Sequence, residues 1–311
     1  MPMLYCIITL LHNNDVSKMM NTRLRIALQK KGRLAEDSLF LLKQCGLPFR
    51  LKDNGLLAHV DNFPIDLLFV RDDDIPTLVF DGLCDAGIVG ENVLFEKTVE
   101  SSDQYQMLAQ LGVCICRLSI AVPLQFDWKS PQSLNGKRIA TSYPNLLGAY
   151  LNEHAVDAEC IVLSGSVEMA PRMGMADVIC DLVSTGQTLE ENKLLEVDTV
   201  LKSQATFIQT MKPLDAQKIQ LLEMLLRRIG AVREADTRKY ILFHAPISEL
   251  KNICACLPGA EMPTVLPLSE SQDKVAVHVV SKEQIFWDTL EHIKHLGATS
   301  ILVLPIEKML A

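Results

Sequence analysis

From Leu24 onward, short apolar runs alternate with amphipathic stretches, and this alternation limits the folds open to the chain more than any other feature. LRIAL (24–28), DLLFV (66–70), DAGIV (85–89), LSIAV (118–122), RIATS (138–142), CIVLS (160–164) and VICDLV (178–183) read as buried strands. Between them RLAEDSLFLLKQCG, DIPTLVFDG, NLLGAYLNEH and SVEMAPRMG carry apolar residues at i, i+3 and i+4, the helical spacing. The pattern predicts an α/β protein with mostly parallel strands. A weak repeat, a helix followed by G-x-x-D and an apolar strand, recurs with one offset at Gly82/Asp85 and at Gly174/Asp177. It predicts two similar lobes side by side, with the chain crossing near Pro123 and returning near Ser203. Lobe I then holds residues 21–123 and 203–229, and lobe II residues 124–202. A cleft between such lobes is the expected binding site.

After an amphipathic helix at 213–229 the pattern changes. KYILFHA, ISELKNICACL, PTVLPL, KVAVHVV, KEQIFWDTLEHIKHLG and SILVLPI read as β-α-β-β-α-β, a separate ferredoxin-like domain over 230–311. At the other end, the apolar run at 3–11 is too short to span a bilayer and lacks the basic flank of a signal peptide. Residues 1–20 are therefore expected to form a disordered extension.

The 311 residues, 49% of them hydrophobic, suffice for a large core. A net charge of −8 argues against broad capture of nucleic acid or an anionic membrane, so an anionic ligand needs a local site. Nine cysteines without any C-x-x-C pair support neither a disulfide framework nor a zinc ribbon, and point to the reducing cytosol. Two C-x-C pairs, Cys114/Cys116 and Cys254/Cys256, lie in apolar runs and read as small buried residues. Neither G-x-x-x-x-G-K-[ST] nor G-x-G-x-x-G occurs.

In an open α/β sheet, ligands bind beyond the carboxyl ends of the strands. After VICDLV come Ser184, Thr185, Gly186, Gln187 and Thr188, then the start of a helix. Hydroxyls, a glycine permitting close approach and the backbone N–H groups of a helix start make a phosphate cradle. Asp181 stands ready for sugar hydroxyls. The plainer reading is that Ser184 or Thr185 caps the helix. The other strand ends add Lys30, Gly32 and Arg33; Arg71 and the three aspartates after it; Gly90, Glu91 and Asn92; Ser142 and Tyr143; and Glu168. The aspartates suit an N-cap before Ile75-Pro76, and the cations suit solvated surface. A polyphosphate ligand accounts for all of them on one edge.

At these residues the sequence closely resembles the long, histidine-regulated form of the ATP phosphoribosyltransferase family. The signature E-x5-G-x-[SAG]-x2-[IV]-x-D-[LIV]-x2-[ST]-G-x-T-[LM] is met by Glu168, Gly174, Ala176, Ile179, Asp181, Leu182, Thr185, Gly186, Thr188 and Leu189. Likeness continues through RLRIALQKKGRL, VRDDDIP, GENVL, LNGKRIATSYP and ILVLPIEKM, and so covers residues 21–311. The departures are the leading extension and Cys114-Ile115. The resemblance implies a two-lobed, periplasmic-binding-protein-like catalytic region and an ACT-like regulatory domain. It further implies that N1 of ATP displaces pyrophosphate from 5-phosphoribosyl 1-pyrophosphate in the first step of histidine biosynthesis. Mg²⁺ accompanies the polyphosphates, with no protein ligands assigned to it. The enzyme would be cytoplasmic, inhibited by histidine, and a homo-oligomer of dimers and hexamers.

On that footing Ser184, Thr185, Gly186, Gln187 and Thr188 take the 5-phosphate and Asp181 the ribose. Lys30, Gly32, Arg33 and Arg71 take pyrophosphate or ATP phosphates, while Ser142, Tyr143 and Glu168 orient ribose or adenine. The turn at 259–264, with Pro263 and Thr264, and His244 are candidates for effector histidine, although His244 reads equally as a partly buried structural imidazole. The competing class is a non-enzymatic two-lobed sensor or solute-binding module, which shares the architecture.

Overall fold

The computed structural model describes residues 23–50, 55–99, 104–257, 262–269, 271–282 and 287–310. The expected extension at 1–20 and the first part of the 259–264 turn lie outside them. The chain divides into two compact units after Glu223.

The first unit contains two sheets. In one, β1 (Leu24–Gln29) lies parallel between β3 (Ile65–Val70) and β4 (Ala86–Gly90). Leu24, Ile26, Ala27 and Leu28 are wholly buried, as expected of a central parallel strand. Antiparallel β2 (Leu57–His59) closes one edge, and β11 (Ala205–Thr210) and β5 (Tyr105–Gln110) the other. Helices α1 (Arg33–Gln44), α2 (Asp74–Phe80) and α3 (Glu91–Thr98) each follow a strand end. The other sheet has the order β10-β6-β9-β7-β8, from β6 (Cys116–Pro123), β7 (Arg138–Thr141), β8 (Glu159–Val162), β9 (Val178–Val183) and β10 (Leu194–Ser203). It carries α4 (Pro144–Glu153) and the short α5 (Gln187–Glu191).

Three expectations are corrected. The crossing expected near Pro123 occurs at 111–115, because β6 hydrogen-bonds to β9 and β10 and so belongs to the second sheet. Gly112 at φ 65 and Cys114 at φ 53 turn the backbone there. Both sheets are mixed rather than mostly parallel, since β6, β10 and β11 run against their neighbours. SVEMAPRMG gives only the 3-10 turn Val167–Met169, as Pro171 withholds a donor and Gly174 takes φ 70.

The G-x-x-D repeat proves to be a staple at the strand starts. Asp85 Oδ2 accepts the Arg25 backbone N–H at 2.8 Å and its own N–H donates to the Arg25 carbonyl at 3.0 Å. Asp177 does the same to Arg138, at 2.9 and 2.8 Å. Each thus ties a strand to its parallel neighbour at the end opposite the strand-end loops. Asp85 also pairs with Lys218 Nζ at 3.0 Å, both side chains being about nine-tenths buried. Lys218→Met strands that carboxylate and should cost ~3–5 kcal/mol in urea unfolding. The half-exposed Arg138–Asp177 pair is screened by solvent, and breaking it should cost far less. Equal losses from breaking the two pairs would refute this ranking by burial.

Helix α6 (Ala216–Asp236) runs past the boundary expected at 230. In the second unit β12 (Arg238–Pro246), α7 (Leu250–Ala255), β13 (Thr264–Pro267), β14 (Lys274–Lys282), α8 (Trp287–His295) and β15 (Thr299–Pro305) follow the β-α-β-β-α-β order. The sheet order β13-β14-β12-β15, antiparallel throughout, is ferredoxin-like. Alternate residues Ile241, Phe243, Val275, Val277 and Val279 pack with Ile253 and Ile293 of the helices. The opposite face carries Tyr240, Leu242, His244 and His278.

Candidate active site

Two strand-end loops from different sheets meet. Beyond β1, Gly32 takes φ 100, a left-handed value that turns the chain sharply into α1. Arg33 opens that helix, and its Nη1 donates to Ser184 Oγ at 3.1 Å. Ser184 and Thr185 follow β9 in exposed positions, and Gly186, at φ 89, is the N-cap of α5. Neither hydroxyl caps the helix, so the plainer reading of this loop does not hold. Thr185 Oγ1 lies 3.5 Å from the Gln187 N–H, too long for a firm cap. Thr188 is exposed in the first helical turn, where backbone N–H groups lack intrahelical partners. The Gln187 amide turns back to Glu191 at 2.9 Å.

Arg117 of β6 fixes this loop by donating to the Ser184 carbonyl at 3.2 Å. Glu196 grips the other edge of its guanidinium, and Arg117 in turn holds that carboxyl below its ordinary range. Arg117 escapes a sequence reading because it lies inside the apolar run CICRLSIAV.

An acidic and aromatic group stands near the other strand ends. Tyr143, the N-cap residue of α4, accepts a hydrogen bond from Asn92 Nδ2 at 2.9 Å. Burial and then the charges of Asp181, Asp72 and Asp73 push its phenol well above the usual range, so it stays protonated. Burial also raises Asp72, reinforced by Asp73 and Asp74, and raises Asp181, reinforced by Glu168. The aspartates do not cap α2: the N-cap residue is Asp73 and makes no side-chain cap bond. Ser142 spends its hydroxyl hydrogen on the Leu163 carbonyl at 2.7 Å, which leaves only lone pairs for a ligand. Lys30 and Arg71 stand at the same strand ends as Arg33 and Asp72. Among the described residues their side chains make no hydrogen bond or ion pair.

Further residues join the lobes, among them Glu96, which the sequence reading missed. The Glu96 carboxylate accepts the N–H groups of Asn145 and Leu146 at 2.8 and 2.9 Å, so a side chain of α3 caps α4 in the other lobe. At the crossover, buried Glu91 accepts from Gln110 Nε2 at 2.6 Å and from the Gln204 N–H at 3.3 Å. Cys114 is only half-buried, contrary to the expectation for the C-x-C pairs. Its thiol donates to Asp37 at 3.1 Å and is pushed up to about 12 by burial and that carboxylate.

In the second unit Pro263 and Thr264 are exposed, with Thr264 on edge strand β13. The residue opposite Thr264 is His278, whose Nδ1 bonds the Tyr240 hydroxyl. His244 is half-buried inside β12, opposite Ala276 and Thr299, rather than at a strand end. Among the described residues no three His, Cys, Asp or Glu side chains form a metal cage, and no helix is long and apolar enough to cross a membrane.

The structure thus brings Arg33 of one sheet to the strand-end loop of the other, with Tyr143 and several carboxylates at neighbouring strand ends. The family ATP phosphoribosyltransferase (HisG) matches residues 71–231, and the HisG C-terminal domain matches residues 235–308. Among solved structures, the ATP phosphoribosyl transferase (HisG:HisZ) complex from Thermotoga maritima is similar at 30% identity and TM-score 0.56, over 67% of this chain and 98% of that one. Lower-scoring matches include an ArgBP mutant from T. maritima (12% identity, TM-score 0.45, 71% of this chain and 93% of that one). A histidine kinase sensor domain with similarity to periplasmic binding proteins matches at 10% identity and TM-score 0.43, over 68% of this chain and 90% of that one. The chain belongs to the ATP phosphoribosyltransferase family, the pentosyltransferases of histidine biosynthesis.

Proposed function

We propose that the two meeting strand-end loops hold the substrates of this transfer, with N1 of ATP displacing pyrophosphate from C1 of 5-phosphoribosyl 1-pyrophosphate. The C1–O bond breaks as the N1–C1 bond forms, so no covalent nucleophile is needed. The observation that carries this reading is the Arg33–Ser184 hydrogen bond, which sets a cation from one lobe against the anion loop of the other. Residues 184–188 receive the 5-phosphate and Asp181 the ribose hydroxyls. Arg33, with Lys30, Gly32 and Arg71, receives the departing pyrophosphate or the ATP phosphates. Ser142, Tyr143 and Glu168 orient ribose or adenine, and the carboxylates around Tyr143 suit positive charge developing at C1.

Mg²⁺ fits as a companion of the polyphosphates. It prefers oxygen and retains water, and Asp72, Asp73 and Asp181 supply oxygen without forming a complete cage. When bound, it neutralises phosphate charge. The second unit binds histidine around Pro263, Thr264 and His244 and inhibits from there, by favouring one arrangement of the catalytic lobes. Exposed Leu302 and Leu304 on its sheet support assembly into homo-oligomers, as dimers and hexamers. The cytosol suits buried thiols such as Cys84 and Cys180.

The test is pyrophosphate release from ATP and 5-phosphoribosyl 1-pyrophosphate, with Mg²⁺ and then histidine titrated in. Release should need both substrates and Mg²⁺ and should fall with histidine, less so for Thr264→Leu. A protein that binds both substrates yet releases none would be the sensor instead. Identical inhibition curves for the two proteins would remove Thr264 from the effector site.

A further inference from the structure

We infer that Asn92 is a positioning residue for the transfer reaction, holding Tyr143 so that its hydroxyl can only donate to a substrate. This rests on the reading of Tyr143 as a substrate-orienting residue, and it assigns work to a side chain that the proposed site leaves out. Asn92 and Ser203 are 7% and 3% exposed, and they link into a short hydrogen-bonded chain that ends on Tyr143. Ser203 Oγ accepts the Asn92 backbone N–H at 3.0 Å and donates to Asn92 Oδ1 at 2.9 Å, with the Cys116 thiol as a further hydrogen-bonding neighbour. With Oδ1 facing Ser203, the amide turns Nδ2 to Tyr143 and donates to the phenol oxygen at 2.9 Å. The tyrosine proton is then left over, and among the described residues no acceptor takes it.

Gly90 supports the placement of this amide. Its φ of −71 and ψ of 138 are open to any residue, so conformation does not call for glycine. A Cβ at this position would instead overlap Asn92 Oδ1. Glycine makes room for the folded-back amide. The charges of Asp72, Asp73 and Asp181 around Tyr143 would repel a bare phosphate. The partner of the hydroxyl is therefore a neutral acceptor, either a ribose oxygen of the phosphoribosyl donor or a ring nitrogen of the base.

The experiment is a double-mutant cycle read as kcat and KM for both substrates, with melting temperatures recorded alongside. Tyr143→Phe should lower kcat/KM by about 10- to 100-fold, the scale for a buried donor lost from a bound complex. Asn92→Asp keeps the shape but accepts the tyrosine proton, drawing it out of the cleft, and should cause a similar loss. The double variant should be no worse than Tyr143→Phe alone. A rise confined to the KM of the phosphoribosyl donor identifies the ribose oxygen, and one confined to ATP the base nitrogen. Gly90→Ala, which displaces the amide without adding charge, should likewise lose its effect when Tyr143 is Phe, and it serves if Asn92→Asp does not fold. Additive losses, or wild-type kinetics for Tyr143→Phe, overturn the inference and leave the family activity standing. Absence of pyrophosphate release by the unaltered protein would defeat the functional reading instead.

Discussion

Replacing Gly186 with valine is expected to raise the Michaelis constant for 5-phosphoribosyl 1-pyrophosphate on the order of a hundredfold, the scale of losing one or two hydrogen bonds to a charged group. The constant for ATP should move only a few fold. Gly186 sits at φ 89, where a β-branched residue is strained, and nothing lies within 4 Å of where its Cβ would stand. In the free protein a side chain would thus find room. The room is the space before residues 184–188, where the 5-phosphate is proposed to lie, so the valine methyls would displace the ligand rather than a neighbour. Gly186→Ala carries the same backbone strain with less bulk, and the difference between the two variants isolates the occupied volume. Both Michaelis constants should be measured for each. An unchanged donor constant in the valine variant would place the phosphate elsewhere.

The parts legible in the sequence are those set by local pattern. Strands β1, β3, β4, β7 and β9 announce themselves as apolar runs, and the loop after β9 carries its own glycine and hydroxyls. The parts that were not legible depend on pairing across long separations. CRLSIAVP reads as a strand in either sheet. Only its ladders to β9 and β10 decide the matter, and residues 111–115 gain their meaning as a crossover from that choice. Glu96 looks like one more surface charge on a helix until the start of α4, some fifty residues later, is brought against it. Arg117 and Glu196 are likewise separated by most of the second lobe. Conversely, the G-x-x-D repeat was legible as a repeat but not as a staple, since its partners are backbone groups of the neighbouring strand.

Asp181→Asn is expected to move activity and stability in opposite directions. At neutral pH the wild-type side chain is a half-buried carboxylate, and among the described residues the charge acting on it, that of Glu168, is of like sign. Burial and Glu168 raise its pKa, against the one favourable bond from the Leu182 N–H at 2.8 Å. A carboxyl with a folded pKa above its unfolded value binds protons more readily in the native state. Its contribution to stability therefore falls as pH rises from the unfolded pKa through the folded one, and above that it is a constant penalty. Asparagine never ionises and keeps an oxygen for the Leu182 N–H, so the variant should melt at a higher temperature than wild type near pH 7. The gap should close as pH drops through the carboxyl range. Meanwhile kcat/KM should fall by at least about a hundredfold, because the proposed charged acceptor for the ribose hydroxyls is lost, and with it the carboxylate proposed to face positive charge at C1. A side chain kept for the fold alone would show the reverse, lower stability with activity intact. Melting curves across pH and initial rates on the same preparations separate the two, and a lower melting temperature at neutral pH would show that Asp181 has a stabilising partner.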